Sequence, residues 1–351
     1  MAWNFAAGPA RLPDAVLERA RQELFARGGD GASHCERPFS SPPFRTLREQ
    51  AKARLAELLR LPGHYRILFL AGGAMQQFSV LPMNLARPSQ RVGYVQTGYW
   101  SRRAMLDGAV LRPTVALAAP QPGNSLNAPD DLAYCHVTTN ETADGLAWPV
   151  LPDTGKVPLV ADCTSDFLTA PLAMERLGLL YASAQKNIGI AGMVVVIIRA
   201  DLLDHVPEDL PAPFSYRRQA EADSCVSTPP MLALQLAAMV FDWIAEQGGL
   251  VAMAEAGRRK AALVHGAIEA SGGFYRVPVE RAWQSQVNMC WQLPEASLTE
   301  RFIAEAADAG LHHLRGHPQV GGIRASLYNA MPEEGAAALA AFMAEFARRF
   351  G

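Results

Sequence analysis

The chain lacks most of what non-enzymatic roles require. Among 351 residues, 32 Lys and Arg face 34 Asp and Glu. No basic excess is available to neutralise phosphates, which excludes nucleic acid as the main partner. The five cysteines, Cys35, Cys135, Cys163, Cys225 and Cys290, are odd in number and never spaced as CxxC. A disulfide framework or zinc knuckle is therefore not expected, and reduced thiols in a cytoplasm are. Long apolar runs are missing too: 190–198 and 229–241 are too short for a bilayer and end at Arg199 and Asp242. The opening residues, Met1 to Phe5, carry neither a basic region nor an apolar signal core, so the chain reads as a cytoplasmic protein.

What the chain has is core material. Half of its residues are hydrophobic and 19% are charged, which excludes intrinsic disorder. Its length exceeds what one core usually organises, favouring two domains or one large α/β domain. Apolar runs at 65–70, 91–95, 132–138, 157–162, 179–183 and 193–198 read as strands. They are continuous rather than alternating, as in strands buried on both faces of a largely parallel sheet. Beyond Pro230 the pattern turns helical over 231–247 and 250–271. Short strands follow at 286–293, 311–314 and 323–327, and an amphipathic helix closes the chain over 336–350. This pattern predicts a large α/β domain followed by a smaller α+β domain.

Ligands of open α/β sheets bind at the carboxyl ends of the strands. The polar segments there are Gly72–Ala74, Thr97–Trp100, Thr138–Thr142, Asp162–Thr164 and Ser183–Asn187, and these five loops are expected to converge. Lys186 lies between an apolar strand and a glycine-rich turn, where its amine could form a Schiff base with a carbonyl; the alternative is a surface lysine in a turn. Asp162 ends an apolar strand 24 residues earlier, about one strand–helix–strand unit away. A carboxylate there suits a protonated pyridine nitrogen, as in pyridoxal phosphate (PLP) enzymes, although an N-cap or Asx turn is an ordinary role for such an Asp. Gly72-Gly73-Ala74-Met75 follows a strand and opens a helix, so its N–H groups could cradle a phosphate or simply make a turn. Trp100 could stack on a planar ring or pack, and Thr142 could donate to a ring hydroxyl. His312-His313-x3-His317 lacks an acidic partner for a metal, and the run Arg258-Arg259-Lys260 reads as the solvated face of a helix.

Taken together, these segments resemble the phosphoserine aminotransferase family. The resemblance rests on Asn4-Phe-Ala-Ala-Gly-Pro-Ala10, Gly98-Tyr-Trp100, Asn140-Glu-Thr142-x-Asp-Gly145, Ala161-Asp162, Ser183-Ala-Gln-Lys186-Asn-Ile-Gly189 and Thr228-Pro-Pro230. It continues through Gly310-Leu-His-x-Leu-x-Gly-His317 into Val320-Gly-Gly-x-Arg324-Ala-Ser-x-Tyr-Asn-Ala-Met-Pro332, in order over essentially the whole chain. The family implies a fold-type I PLP architecture: a mostly parallel seven-stranded sheet sandwiched by helices, with a smaller α+β C-terminal domain. The corresponding domains here are residues 15–250, and 1–14 with 251–351. It also implies a homodimer with shared active sites. Lys186 would bond the cofactor and shuttle the proton between the substrate's Cα and the cofactor's C4′ carbon. Asp162 would pair with the ring nitrogen, Trp100 would stack on the ring, and Thr142 would contact the ring oxygen. Ala74, Met75 and Gln185, with Ser227 and Thr228 from the partner subunit, would hold the cofactor phosphate. Arg324 would clamp a substrate carboxylate.

The match breaks at the substrate's phosphate. The family's His-Arg pair aligns with Phe39 and Ser40, Met75 stands where some members have Arg, and Pro318 follows His317 where Arg is common. Of the expected phosphate ligands only His317 is kept. His34, Arg37 or Arg315 could reach the same place from shifted backbone. Alternatively the acceptor is an unphosphorylated 2-oxo acid whose side chain meets Phe39 and Met75. A PLP lyase would want a cysteine nucleophile on a mobile loop, and no cysteine has that setting. Loss of activity is at odds with intact Lys186, Asp162 and Arg324. The expected activity is glutamate:3-phosphohydroxypyruvate transamination, in two half-reactions through pyridoxamine phosphate.

Overall fold

The computed structural model describes residues 2–351. The N-terminal part runs β1 (Trp3–Asn4), α1 (Asp14–Glu23), α2 (Pro42–Leu59), β2 (Tyr65–Gly72), α3 (Ala74–Leu85), β3 (Arg91–Gln96), α4 (Tyr99–Ala109) and β4 (Thr114–Ala118). The middle contributes β5 (Leu132–Thr138), β6 (Asn140–Glu141), β7 (Leu146–Ala147), β8 (Leu159–Asp162), β9 (Leu179–Ser183), β10 (Gly192–Arg199), α5 (Ala200–Leu203) and α6 (Tyr216–Glu221). Then follow α7 (Met231–Glu246), α8 (Gly249–Ala270), β11 (Asn288–Trp291), α9 (Ala296–Asp308), β12 (Leu311–His312), β13 (Ile323–Ser326) and α10 (Glu333–Phe350).

Seven strands form one sheet in the order β2-β10-β9-β8-β5-β3-β4. Only β10 runs against the others, pairing antiparallel with both β2 and β9. The continuous apolar runs become strands covered on both faces. Ile67, Phe69, Val137, Ala161, Leu180 and Val195 join a core with α1, α2 and α7, while Leu68, Tyr134, Val160, Tyr181 and Val194 join a second core with α3, α4 and α6. The edge strand β4 was not expected. Its residues are half-buried or exposed, because a strand with one neighbour needs no continuous apolar run.

A third apolar cluster gathers Phe5, Val264, Trp291, Phe302, Ala325 and Phe346, so the first strand of the chain packs with its last third. β1 pairs with β12, and β11 with β13. Helices α7 and α8 meet at 82° through Gly248 and Gly249, both at positive φ (+97° and +72°), a bend that side-chain-bearing residues resist. No single helix among the described residues is long and apolar enough to cross a membrane.

Lys260 corrects the reading of its run as solvated. It is 3% exposed, and its Nζ donates to the carbonyls of Leu327, Tyr328 and Met331 at 3.0, 2.7 and 2.9 Å. Three carbonyls take the place of water around the ammonium, which is what makes burying it tolerable.

Candidate active site

The parallel strands bring Gly72, Gln96, Thr138, Asp162 and Ser183 to one edge of the sheet, and the loops that follow enclose a cavity of about 300 Å³. Each wall has a local cause. Gly72 sits at φ +119°, a backbone conformation that side-chain-bearing residues rarely adopt. The turn it makes opens α3, where Gln76 N donates back to Gly73 O at 3.1 Å and the N–H groups of Ala74 and Met75 face the cavity end of the helix. A helix N-terminus with open donors attracts an anion.

The opposite wall is α4, whose first turn is held by two carboxylates. Buried Glu141 accepts from Trp100 N at 2.8 Å and Ser101 N at 2.9 Å, and Asp144 accepts from Tyr99 N at 2.8 Å. This double cap fixes Trp100, whose ring centroid lies 5.7 Å from Lys186 Nζ and whose Nε1 has no partner among the described residues. Lys186 Nζ donates to the Thr142 hydroxyl, and Arg324 donates to the Thr142 carbonyl at 3.2 Å. Asp162 is buried, with one oxygen accepting from Thr164 N at 2.9 Å.

These features recur in known proteins. The model of the aminotransferase class-V family matches residues 2–339. The chain is 44% identical to the phosphoserine aminotransferase of Stenotrophomonas maltophilia (strain K279a), over 100% of this chain and 99% of that one. Against the Geobacillus kaustophilus enzyme of that name it is 43% identical, over 99% of each. The structure of phosphoserine aminotransferase from Bacillus circulans subsp. alkalophilus superposes with a TM-score of 0.96 at 39% identity, covering 100% of this chain and 99% of that one. PLP-bound phosphoserine aminotransferase from Trichomonas vaginalis superposes at 0.91 and 34%, covering 98% and 99%. The chain belongs to the class-V aminotransferases, within the phosphoserine aminotransferase family. It is a PLP-dependent transaminase of fold-type I.

The residues of the aminotransferase fit that cofactor. The cavity offers an amine, a buried carboxylate, a flat ring and open helix N–H groups, one for each part of PLP. It also holds a buried hydroxyl, Thr138 Oγ1, with no partner among the described residues. Burial pushes Lys186 down to about 8, and Arg324 adds to this while Asp162 opposes it. A larger share of its amine is therefore neutral near pH 7 to 8 than for an ordinary lysine. Burial raises the Asp162 carboxyl, and the Thr164 hydroxyl, Lys186 and Tyr181 draw it back down.

Of the residues read from the sequence, the cavity gathers Ala74, Met75, Trp100, Thr142, Asp162, Gln185 and Lys186. Arg324 joins through Thr142, and His317 through its tilted contact with Tyr99, ring centroids 4.3 Å apart, and its approach to Trp100 at 6.0 Å. Ser227 and Thr228 are exposed and lie elsewhere on the chain. Phe39 packs half-buried against the core around α2, and the Ser40 carbonyl accepts from Arg45 at 2.6 Å; neither lines this chain's cavity. Arg315 pairs with Glu300, Arg37 approaches Asp30 at 3.6 Å, and His34 borders a different cavity. Thr138, Asn140, Thr164 and Ser165 also line the pocket and had been given no role. Their signal was present, since all four fall in or beside the polar segments after β5 and β8. The capping task of Glu141 had no sequence signal, because it sits 40 residues from the helix it caps.

Proposed function

We propose that the aminotransferase moves the amino group of glutamate to 3-phosphohydroxypyruvate, giving phosphoserine and 2-oxoglutarate. The observation that carries this reading is that Lys186, Asp162, Trp100 and the start of α3 surround one cavity, with Arg324 tied to its rim at Thr142. The name shared by relatives matched over their full length favours a phosphorylated acceptor over an unphosphorylated one.

When bound, PLP supplies a carbonyl carbon for Lys186 and a ring that accepts the electron pair left at the substrate's Cα. The chain does the rest. Lys186 Nζ, its neutral form made more accessible by the lowered pKa, takes the Cα proton. Asp162 would hold the proton on the ring nitrogen, Trp100 would cover one ring face, and Thr142 would contact the ring oxygen. Ala74, Met75 and Gln185 bind the cofactor phosphate, joined by Ser227 and Thr228 from a second copy of the chain in a homodimer. Arg324 grips the carboxylate common to glutamate and the phosphorylated substrate in a bidentate fork. His317 stands at the far end of the substrate. Burial, Arg324 and Lys186 all lower its pKa, so it serves there as a neutral hydrogen-bonding ring. Phe39 and Ser40 stand in sequence at the places of the family's His-Arg pair. Residues 15–250 form the PLP-binding domain, and 1–14 with 251–351 the smaller one, in a cytoplasmic enzyme.

The test follows the spectral change of the bound cofactor as phosphoserine, glutamate or unphosphorylated amino acids are added singly. Phosphoserine and glutamate converting with comparable efficiency supports the reading. Conversion of glutamate with none of phosphoserine overturns it.

A further inference from the structure

The carboxylate assigned to the cofactor's ring nitrogen has two buried polar neighbours, His136 and Tyr181. Strands β5, β8 and β9 lie side by side, with His136 opposite Val160 and Asp162 opposite Tyr181. Side chains alternate across a strand, so this register puts His136, Asp162 and Tyr181 on one face of the sheet. There His136 Nε2 and the Tyr181 hydroxyl meet across β8 at 2.9 Å. The register sets Tyr181 directly beside Asp162 on the neighbouring strand, and its hydroxyl draws the Asp162 carboxyl toward the charged form. His136 and Tyr181 are both fully enclosed, with Tyr94 and Phe78 packed on them.

The direction of this chain of hydrogen bonds follows from what each atom can do. Burial drives His136 down to about 3, so the imidazole is neutral and carries one N–H. Nδ1 has no partner among the described residues, and a proton there would be a stranded buried donor. With the proton on Nε2, His136 donates to the Tyr181 oxygen, and the Tyr181 proton is free to point at the carboxylate. With the opposite tautomer, Tyr181 would spend its only proton on the imidazole and Asp162 would lose a donor. The other titratable groups facing Asp162 or Tyr181 are Lys186, Asp166, Tyr94 and Tyr216. Of these, only Lys186 brings positive charge.

We propose that His136 and Tyr181 are positioning residues for the cofactor. His136 Nε2–H donates to Tyr181, and the Tyr181 hydroxyl donates to Asp162, keeping that carboxylate ionised and oriented toward the ring nitrogen. The proposal rests on the assignment of Asp162 made above.

Neutron diffraction from PLP-loaded crystals of the full chain tests it without mutation. The expected map has a deuteron on His136 Nε2, none on Nδ1, and the Tyr181 deuteron aimed at Asp162. A deuteron on Nδ1, or a Tyr181 hydroxyl turned toward His136, overturns the relay while leaving Asp162 at the ring nitrogen. An Asp162 away from that nitrogen overturns both the relay and the assignment. Equilibrium PLP binding to the apoprotein, read by tryptophan fluorescence, is a second readout. Tyr181→Phe is expected to weaken binding about tenfold, the scale of one charge-assisted hydrogen bond. His136→Gln, whose amide N–H can still donate, is expected to stay within about threefold of the unmodified protein, and His136→Leu to fall with Tyr181→Phe. Equal losses for the Gln and Leu variants would mean that packing alone matters and would overturn the relay.

Discussion

Arg324 donates to the carbonyl of Thr142, the residue whose hydroxyl accepts from Lys186. A cation on β13 and the amine after β9 are thereby tied to the same residue, one at its carbonyl and the other at its hydroxyl. An amino acid whose carboxylate Arg324 gripped, as proposed, would be set at a defined distance from the amine that must reach its Cα. Replacing Arg324 with Lys removes the planar fork while retaining the charge. The KM for both amino acid and 2-oxo acid is expected to rise about 10- to 100-fold, corresponding to one or two lost charge-assisted hydrogen bonds, with a smaller change in kcat. Steady-state kinetics with each substrate varied checks this.

Lys186→Ala should replace the imine band of the PLP-loaded protein with that of the unbonded aldehyde and lower the half-reaction rate by about 10² to 10⁴ or more, as expected for a removed general base that is also the proposed attachment point. Rapid mixing with a single amino acid, followed in the near-visible region, measures both effects.

The rate at which the apoprotein captures PLP should depend on pH through Lys186. Only the neutral amine attacks a carbonyl, and burial has lowered its pKa to about 8. Capture should therefore speed up as pH rises toward 8 and level off above it. A rate still climbing steadily above pH 9 would show a lysine closer to its ordinary value.

If Ser227 and Thr228 complete the phosphate site of a second copy, two inactive variants should rescue each other. Mixing Lys186→Ala with Thr228→Glu chains, unfolding and refolding them together, forms heterodimers with one intact site. About a quarter of all sites is then expected to be active, by random pairing of equal amounts in a two-fold dimer. No recovery would mean that Thr228 acts within its own chain or not at all.

Lys260 makes a stability prediction that does not involve the site. Lys260→Met leaves the carbonyls of Leu327, Tyr328 and Met331 without their donor in a buried place. A loss of about 3 kcal/mol is expected from unsatisfied buried acceptors, measured by denaturant unfolding.

How much of this was legible in the sequence depended on whether the signal was local. The strands at 65–70, 132–138 and 179–183 were readable because burial on both faces leaves a continuous apolar run. β4, at the sheet edge, was not. Lys186 and Asp162 stood out because a charged residue ending an apolar strand is costly without a task. Lys260 was misread because its three partners lie about 70 residues away and are backbone atoms, which carry no residue-type signal. Glu141 was quoted as part of a motif, yet its work of capping α4 depends on a loop folding back across the sheet. Phe39 and Ser40 were read against the family's phosphate ligands. In the single chain they sit by α2, away from the cavity.

The most direct measurement is steady-state turnover with glutamate as donor and either 3-phosphohydroxypyruvate or 3-hydroxypyruvate as acceptor, two compounds that differ only in the phosphate. A kcat/KM at least about 100-fold higher for the phosphorylated acceptor is expected, on the scale of about 3 kcal/mol from a bound dianion. Equal values, or a preference for the unphosphorylated acceptor, would contradict phosphoserine aminotransfer and point to the acceptor pocket that Met75 and Phe39 first suggested.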